Sequence, residues 1–230
     1  MMTLAGLWRY PVKSLGGQAL GEALLTSDGL DGDRRVHVRD AGGAVSGRIH
    51  HGLLTVPGST DEHGTPLVDG HRWDSPEALS RVRSVSSPEV ELAWYDGPER
   101  FDIGNLLVAT DGAVEAFGYG VRRLRPNLLI EGVLDETSWP GQALAIGDAL
   151  IGLHSVRQRC IVTTIDPDTG AQNLKVLRHL RQEFGNAMAL NAWVIRPGRV
   201  RVGDEVQLVA TDALPRDLGG WIVGAPYTAL

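Results

Sequence analysis

The sequence predicts an α+β fold that is mainly β, built as a barrel-like β assembly with a few helices. Three observations predict it. Short segments with β-branched or aromatic content recur in both halves, separated by clusters of Gly, Asp, Ser and Pro. Only three windows combine helical periodicity with recognisable start and stop residues. The chain has 230 residues, 43% of them hydrophobic and 22% charged, which suits one large domain or two small ones sharing an interface.

In chain order, residues 3–8, 19–25, 35–39, 53–56 and 90–94 read as strands. The breaks between them are Ser27-Asp28-Gly29, Asp31-Gly32-Asp33, Ala41-Gly42-Gly43 and Pro57-Gly58-Ser59. Short strands at this spacing point to a barrel. Ser75-Pro76-Glu77 sets a cap residue before a proline at the first helical position, with Ala78, Leu79 and Val82 following. A second helix starts at Thr110-Asp111-Gly112-Ala113, carries Val114 and Phe117, and stops at Gly118. The third spans residues 173–184, with Leu174, Leu177, Leu180 and Phe184 on one face and Gly185 as terminator. Strands return at 127–130, 143–151, 161–165, 192–195 and 205–209. After Val209 comes an Ala-, Pro- and Gly-rich tail with Trp221 and Tyr227, read as a strap across the barrel or a partly disordered end.

Composition excludes several function classes. The net charge is −6, and no basic tract is present, so general nucleic-acid binding is not expected. Only a local arginine cluster could attract an anion. There are 20 arginines and only two lysines, Lys13 and Lys175. The single cysteine, Cys160, rules out an internal disulfide and a cysteine-only zinc site. No apolar run approaches the roughly 20 residues of a membrane span. Residues 1–10 lack a secretory leader pattern, so no membrane association and a cytoplasmic location are expected.

Common motifs fail. Lys13-Ser14 lacks the glycines of a phosphate-binding loop, and Arg123 stands where a dinucleotide turn after Gly118-Tyr119-Gly120 needs its third glycine. Asp166-Pro167-Asp168 begins like a calcium loop, but Leu177 occupies its bidentate-Glu position. His50 and His51 are adjacent and in a strand would face opposite ways.

Three segments remain: Tyr10-Pro11-Val12-Lys13-Ser14, Leu124-Arg125-Pro126-Asn127, and Arg159-Cys160-Ile161-Val162-Thr163-Thr164-Ile165-Asp166-Pro167-Asp168-Thr169-Gly170. In the third, a lone thiol follows an arginine, whose guanidinium favours the thiolate that binds soft metals or attacks electrophiles. A single cysteine is also a common small core residue. Asp166 to Gly170 is a turn whatever the function. Pro126 is expected to hold Arg125 extended, so that Arg125 and Asn127 share one side of a strand and offer donors to a phosphate or a pterin-like ring.

Together and in this order, these segments resemble the MOSC superfamily, in the branch with an N-terminal β-barrel domain that includes the mitochondrial amidoxime-reducing component and its bacterial relatives. The likeness runs from about Leu4 to Val209. Gly32-Asp33-Arg34, Asp135 to Trp139 and Ile146-Gly147 keep to the family's order. The resemblance implies an N-terminal β-barrel-like domain over residues 1–98, a β-barrel MOSC core with flanking helices over 99–210, and a tail over 211–230. It also implies a molybdenum cofactor. Cys160 matches the position of the metal's protein ligand. Lys13, Ser14, Arg34, Arg125, Asn127, Gln158 and Arg159 match positions that hold the pterin and its phosphate, and Arg48 comes after Val45-Ser46-Gly47 at another arginine position.

The activity implied by the resemblance is that of a molybdenum-dependent oxidoreductase that cleaves the N–O bond of N-hydroxylated compounds. A single cysteine leaves no cysteine-ligated iron–sulfur cluster, so electrons would come from a separate protein or a small reductant. Asp168 is a candidate proton relay. A non-catalytic carrier of the cofactor or of a persulfide on Cys160 is the alternative, and a redox-sensing thiol is a third. The sequence departs from the family at Asp102-Ile103-Gly104-Asn105, where relatives carry a Thr/Ser pair that Asn105 would replace as donor. It departs also at Gln158 and at Ala192, which stands for an aromatic at the site.

Overall fold

The computed structural model describes residues 1–97 and 100–213. The chain opens with β1 (Met2–Arg9), β2 (Gln18–Leu20), β3 (Glu22–Thr26), β4 (Gly29–Leu30), β5 (Val36–Asp40) and β6 (Gly43–Ala44). A 3-10 turn over His51–Thr55 leads to β7 (Gly58–Thr60), β8 (Pro66–Val68) and β9 (His71–Arg72), then to α1 (Pro76–Arg83) and β10 (Glu91–Trp94). The second half runs through β11 (Leu106–Thr110), α2 (Asp111–Phe117), β12 (Leu128–Glu131), β13 (Gln142–Ile146) and β14 (Ala149–Gln158). It ends with α3 (Leu174–Phe184), β15 (Ala187–Arg196), β16 (Gly198–Arg201) and β17 (Glu205–Ala210).

The largest sheet closes on itself. Its order is β12-β11-β15-β14-β13-β17-β1, and β1 pairs back onto β12, which makes a seven-strand barrel. β2 continues along β1 past the end of β17. β11 and β12 run parallel with α2 on the connection between them, as a parallel pair requires a long crossover. Leu190, Ala192 and Val194 from β15 and Leu144 and Ile146 from β13 fill the interior at the two-residue period of strands. A second core joins Val12, Val36, Val38, Leu53, Val56, Val68, Val82 and Val90. The sheet β10-β5-β6, the sheet β7-β8-β9 and α1 surround it. The sheet β16-β3-β4 joins a late strand, Gly198–Arg201, to the early strands Glu22–Thr26 and Gly29–Leu30.

The mainly β class with three helices is observed. β1 lies before residue 98 yet is a stave of the barrel, so an N-terminal unit and the barrel core share that strand. The tail reading beyond Ala213 lies outside the described residues.

The helix ends obey their sequence signals. Ser75 accepts from the Ala78 amide at 3.2 Å, and Pro76 starts α1. Thr110 caps α2 through the Ala113 amide, and Asn173 caps α3 through the Lys175 amide. Gly118 and Gly185 end α2 and α3 in the left-handed region, with φ of 69° and 58°. The buried face of α3 is corrected. Val176 and Leu180 are fully buried, Leu177 and Phe184 partly so, and Leu174 in the first turn is exposed.

Two expected strands are 3-10 turns instead, for one physical reason. At Ile161–Thr164 the Thr163 hydroxyl donates to the Cys160 carbonyl at 2.9 Å and the Thr164 hydroxyl to the Ile161 carbonyl at 2.6 Å. At His51–Thr55 the Thr55 hydroxyl donates to the Gly52 carbonyl at 2.8 Å. These local bonds wind a β-branched run that propensity alone reads as extended. The run 143–151 divides into β13 and β14 around Gly147-Asp148, with Ile146 opposite Ala149. The run 19–25 divides at Gly21.

His37 in β5 is buried and stacks on Tyr95 at 4.8 Å. Burial first, then the charges of Lys13, Arg39 and Arg100, lower its pKa from 6.5 to about 3. The neutral ring therefore contributes stability that is full above the ordinary imidazole pKa and is lost as pH falls towards 3. His37→Phe keeps the aromatic stack and removes this dependence. Thermal melts across that window are expected to show a smaller loss of midpoint in the variant than in the parent chain.

Candidate functional site

The site is organised by Asp33, which is fully buried in the turn between β4 and β5. Its Oδ1 accepts from the Tyr10 amide at 2.7 Å, and its Oδ2 accepts from Asn127 Nδ2 at 3.2 Å and from Arg34 Nη1. Asn127 also donates to the Trp8 carbonyl at 3.2 Å and accepts from the Leu107 amide at 3.1 Å. Three chain segments are locked at one end of the barrel. Asn127 lines the cavity there, and both the nitrogen and the oxygen of its amide group take part in this lock.

A cavity of about 380 Å3 opens at this end. All nine residues singled out in the sequence line it. Lys13 and Ser14 come after β1, Arg34 precedes β5, and Arg48 comes after β6. Arg125 and Asn127 precede β12, while Gln158, Arg159 and Cys160 come from the end of β14. Cys160 is partly buried and begins the 3-10 turn. Ser14, Arg34 and Arg125 have φ of 73°, 53° and 57°, so three of the nine hold left-handed backbone that costs on the order of 1–3 kcal/mol each.

Arg125 is therefore not extended. It lies just past a 3-10 turn over Val121–Arg123, where its amide bonds the Arg122 carbonyl at 3.2 Å and the chain reverses hand. This puts its guanidinium 4.3 Å from the centre of the Tyr10 ring, with Arg34 at 5.1 Å from the same ring. The Tyr10 hydroxyl donates to the Pro126 carbonyl at 3.2 Å. Burial pushes that hydroxyl up to about 12, so it stays protonated.

The charge on the wall is strongly positive. Among the described residues, seven lining side chains are cationic: Lys13, Arg34, Arg48, Arg100, Arg125, Arg157 and Arg159. Asp102 is the one carboxylate among the described residues that line the cavity. It pairs with Arg157 at 2.9 Å, Arg48 at 3.3 Å and Lys13 at 3.8 Å. Burial pushes the Asp102 carboxyl up, but the three cations outweigh it and hold the group well below the usual carboxylate range. Arg100 is paired with Asp28. Arg159 is different. Its Nη2 donates to the Leu124 carbonyl at 2.7 Å, whereas Nε and Nη1 are buried with no partner. Burial lowers its pKa to about 9, and the charge of Arg157 adds to the effect. Two unmet donors on a buried cation beside a thiol mark where an anionic or acceptor-rich ligand fits.

Asp102, Arg157 and Arg100 were not singled out in the sequence. Arg157 carried a signal, because it alternates with Arg159 near the end of a strand and so shares its side. Asp102 and Arg100 sit in an irregular loop with no periodicity to read. Asn105 does not replace the family's donor in the cavity: its Nδ2 bonds the Ser27 carbonyl at 3.2 Å, outside the lining. Ala192 is fully buried in the barrel core rather than at the site. Gly104 is the residue packed on it, and a Cβ there would come within 2.4 Å of the Ala192 carbonyl oxygen. Asp168 also lies off the lining, paired with Arg122, while Asp166 closes the turn by accepting from the Asp168 and Thr169 amides at 3.0 Å. Among the described residues no three His, Cys, Asp or Glu side chains converge as a metal cage. A soft ion on Cys160 would take its other ligands from a non-protein group.

Two family models match the chain: the MOSC N-terminal beta barrel domain over residues 1–65 and the MOSC domain over residues 111–207. The chain belongs to the MOSC family. That membership places it in a molybdenum-cofactor-binding family. This MOSC protein is 26% identical over 288 residues to mitochondrial amidoxime-reducing component 1 of Mus musculus, covering 90% of this chain and 82% of that one. It is 35% identical over 149 residues to the protein of the same name from Homo sapiens, covering 58% of this chain and 44% of that one. The crystal structure of the YUAD protein from Bacillus subtilis superposes with a TM-score of 0.53 at 15% identity, over 92% of this chain and 98% of that one, and shows a shared fold. Among the described residues, no helix is long and apolar enough to cross a membrane.

The unmet donors of Arg159 make a stability prediction. Replacing a buried, half-partnered cation by an apolar side chain of similar length stabilises the ligand-free chain by about 1 kcal/mol or more. Arg159→Met is expected to raise the melting temperature of cofactor-free protein in calorimetry and to lower the molybdopterin content of protein purified under cofactor-replete conditions.

Proposed function

We propose that this protein is a molybdenum-dependent reductase of N-hydroxylated compounds, with Cys160 as the protein ligand of the metal. The observation that carries the reading is the pairing of one accessible thiol with the unmet donors of Arg159 in a cationic cavity. The residues fit the group. Arg159, Arg125 and Arg34, with Lys13 and Ser14, would hold its phosphate and pterin, and Arg48 and Gln158 stand at the exposed side. When bound, the molybdenum cofactor supplies the two-electron chemistry by which an N–O bond is reduced. Overall, an N–OH group takes two electrons and two protons and leaves an N–H group and water.

The chain's own residues bind, orient and set charge. Arg125 is fixed over Tyr10, and Arg34 is fixed by Asp33, so the anion clamp is assembled before any ligand arrives. Leu54, Leu106 and Val162 add apolar surface for the body of a small organic substrate. Asp102 stays ionised through the neutral range and is an acceptor rather than an acid. The electrons come from a separate protein or a small reductant. The curated relatives are named for amidoxime reduction, which is the substrate class proposed here.

The test is elemental and pterin analysis of purified protein, with reduction of benzamidoxime by a chemical electron donor. Cys160→Ala is expected to abolish reduction while keeping the parent melting temperature, because a partly exposed thiol adds little packing. Parent-rate reduction by that variant rejects the ligand assignment. Arg125→Ala is expected to lower molybdopterin occupancy severalfold, and full occupancy rejects the clamp. A loaded protein that reduces no N–O bond points instead to a cofactor carrier.

A further inference from the structure

We propose that Asp102 reads the substrate: its Oδ1 accepts a hydrogen bond from an N–H group next to the N–O bond, so amidoximes with a free amino group are preferred over N-oxygenated compounds that lack one. The inference rests on the reductase reading and adds the feature by which substrates are told apart.

The geometry separates the two oxygens of this carboxylate. Oδ2 accepts from Arg157 Nη2 at 2.9 Å and from Arg48 Nη2 at 3.3 Å. Oδ1 has Lys13 Nζ at 3.8 Å, beyond hydrogen-bond distance. A carboxylate oxygen has two acceptor directions, so Oδ1 retains capacity for a ligand. The side chain is 33% exposed and lines the cavity, so a ligand can reach it.

The carboxylate is also held still. Arg157, which grips Oδ2, donates to Asn191 Oδ1 at 3.1 Å, and Asn191 Nδ2 donates to Ser155 Oγ at 3.1 Å. Asn191 is buried within β15. The acceptor is thus fixed to the barrel wall through two side chains, which favours recognition by geometry. Among the described residues, the other charged groups on the lining are all donors. A neutral substrate that offers N–H beside its N–O group finds at Asp102 the one anionic acceptor among the described lining residues. One without that donor leaves Oδ1 desolvated with no hydrogen-bond donor beyond its longer ion pair with Lys13, which is how a polar group in a site rejects an analogue.

The experiment compares benzamidoxime with its N,N-dimethyl derivative, whose amino nitrogen has no hydrogen. Cofactor-loaded parent protein, Asp102→Asn and Asp102→Glu are used. Two measurements are made: binding by calorimetry without any electron donor, and kcat/KM with a chemical donor. The parent is expected to prefer benzamidoxime in both. Asp102→Asn is expected to shrink that preference about tenfold, and Asp102→Glu to restore part of it. An unchanged preference in Asp102→Asn overturns the proposal. So does an equal loss for both compounds with a lower melting temperature, which would make Asp102 only a strut for Arg48 and Arg157. If loaded protein reduces neither compound, the reductase reading falls, and the calorimetric preference alone still decides the role of Asp102.

Discussion

The structure depends on one buried carboxylate. Asp33 has no exposure, and it joins the Tyr10 amide, the Asn127 side chain and the Arg34 guanidinium. Those partners belong to the end of β1, the start of β12 and the entry to β5. The carboxylate thus fixes where the barrel ends and where the second core begins. A buried charge is tolerable only when its oxygens are met, and here two of the partners that meet them, Arg34 and Asn127, also line the cavity. Tyr10 then provides the aromatic face on which Arg125 lies, and Asn127 holds the backbone of β1 and β11 in register. Architecture and anion recognition are set by the same few bonds.

The cavity is organised at the expense of local ease. Left-handed backbone at Ser14, Arg34 and Arg125 places side chains that an extended strand would aim elsewhere. Arg159 is buried with two donors unmet, and Arg125 lies against a ring rather than a carboxylate. Asp102 moderates the field by pairing with three of the cations, Asp33 and Asp28 pair with Arg34 and Arg100, and Arg125 and Arg159 have no carboxylate salt bridge among the described residues. Strain and unbalanced charge at one end of a well-packed barrel are what a ligand-binding site is expected to show.

Much of this is legible in the sequence, and the parts that are not have physical causes. Helix limits are readable because Ser75, Thr110 and Asn173 cap through their own side chains, a purely local act. The gathering of Lys13, Ser14, Arg34, Arg48, Arg125, Asn127, Gln158, Arg159 and Cys160 is signalled by motif order rather than by any single residue. The conformation after Cys160 departs from β-branched propensity because the hydroxyls of Thr163 and Thr164 bond back by three residues. Arg125 departs from the rule for a residue before proline because of the turn that precedes it. Asp102 is invisible as a partner of Lys13, Arg48 and Arg157, since ion pairs between distant loops leave no pattern along a chain.

The position of β1 bears on how the molecule forms. Met2 lies opposite Val206 and Thr3 opposite Glu205, while Leu4 and Leu7 lie opposite Ile130 and Leu128. During synthesis β1 emerges long before β12 and β17 exist, and only β2 can pair with it early. The barrel therefore cannot close until the chain has been made through β17. Folding of this kind is dominated by distant contacts and is slow, and it leaves an unpaired edge exposed to other nascent chains in the interval.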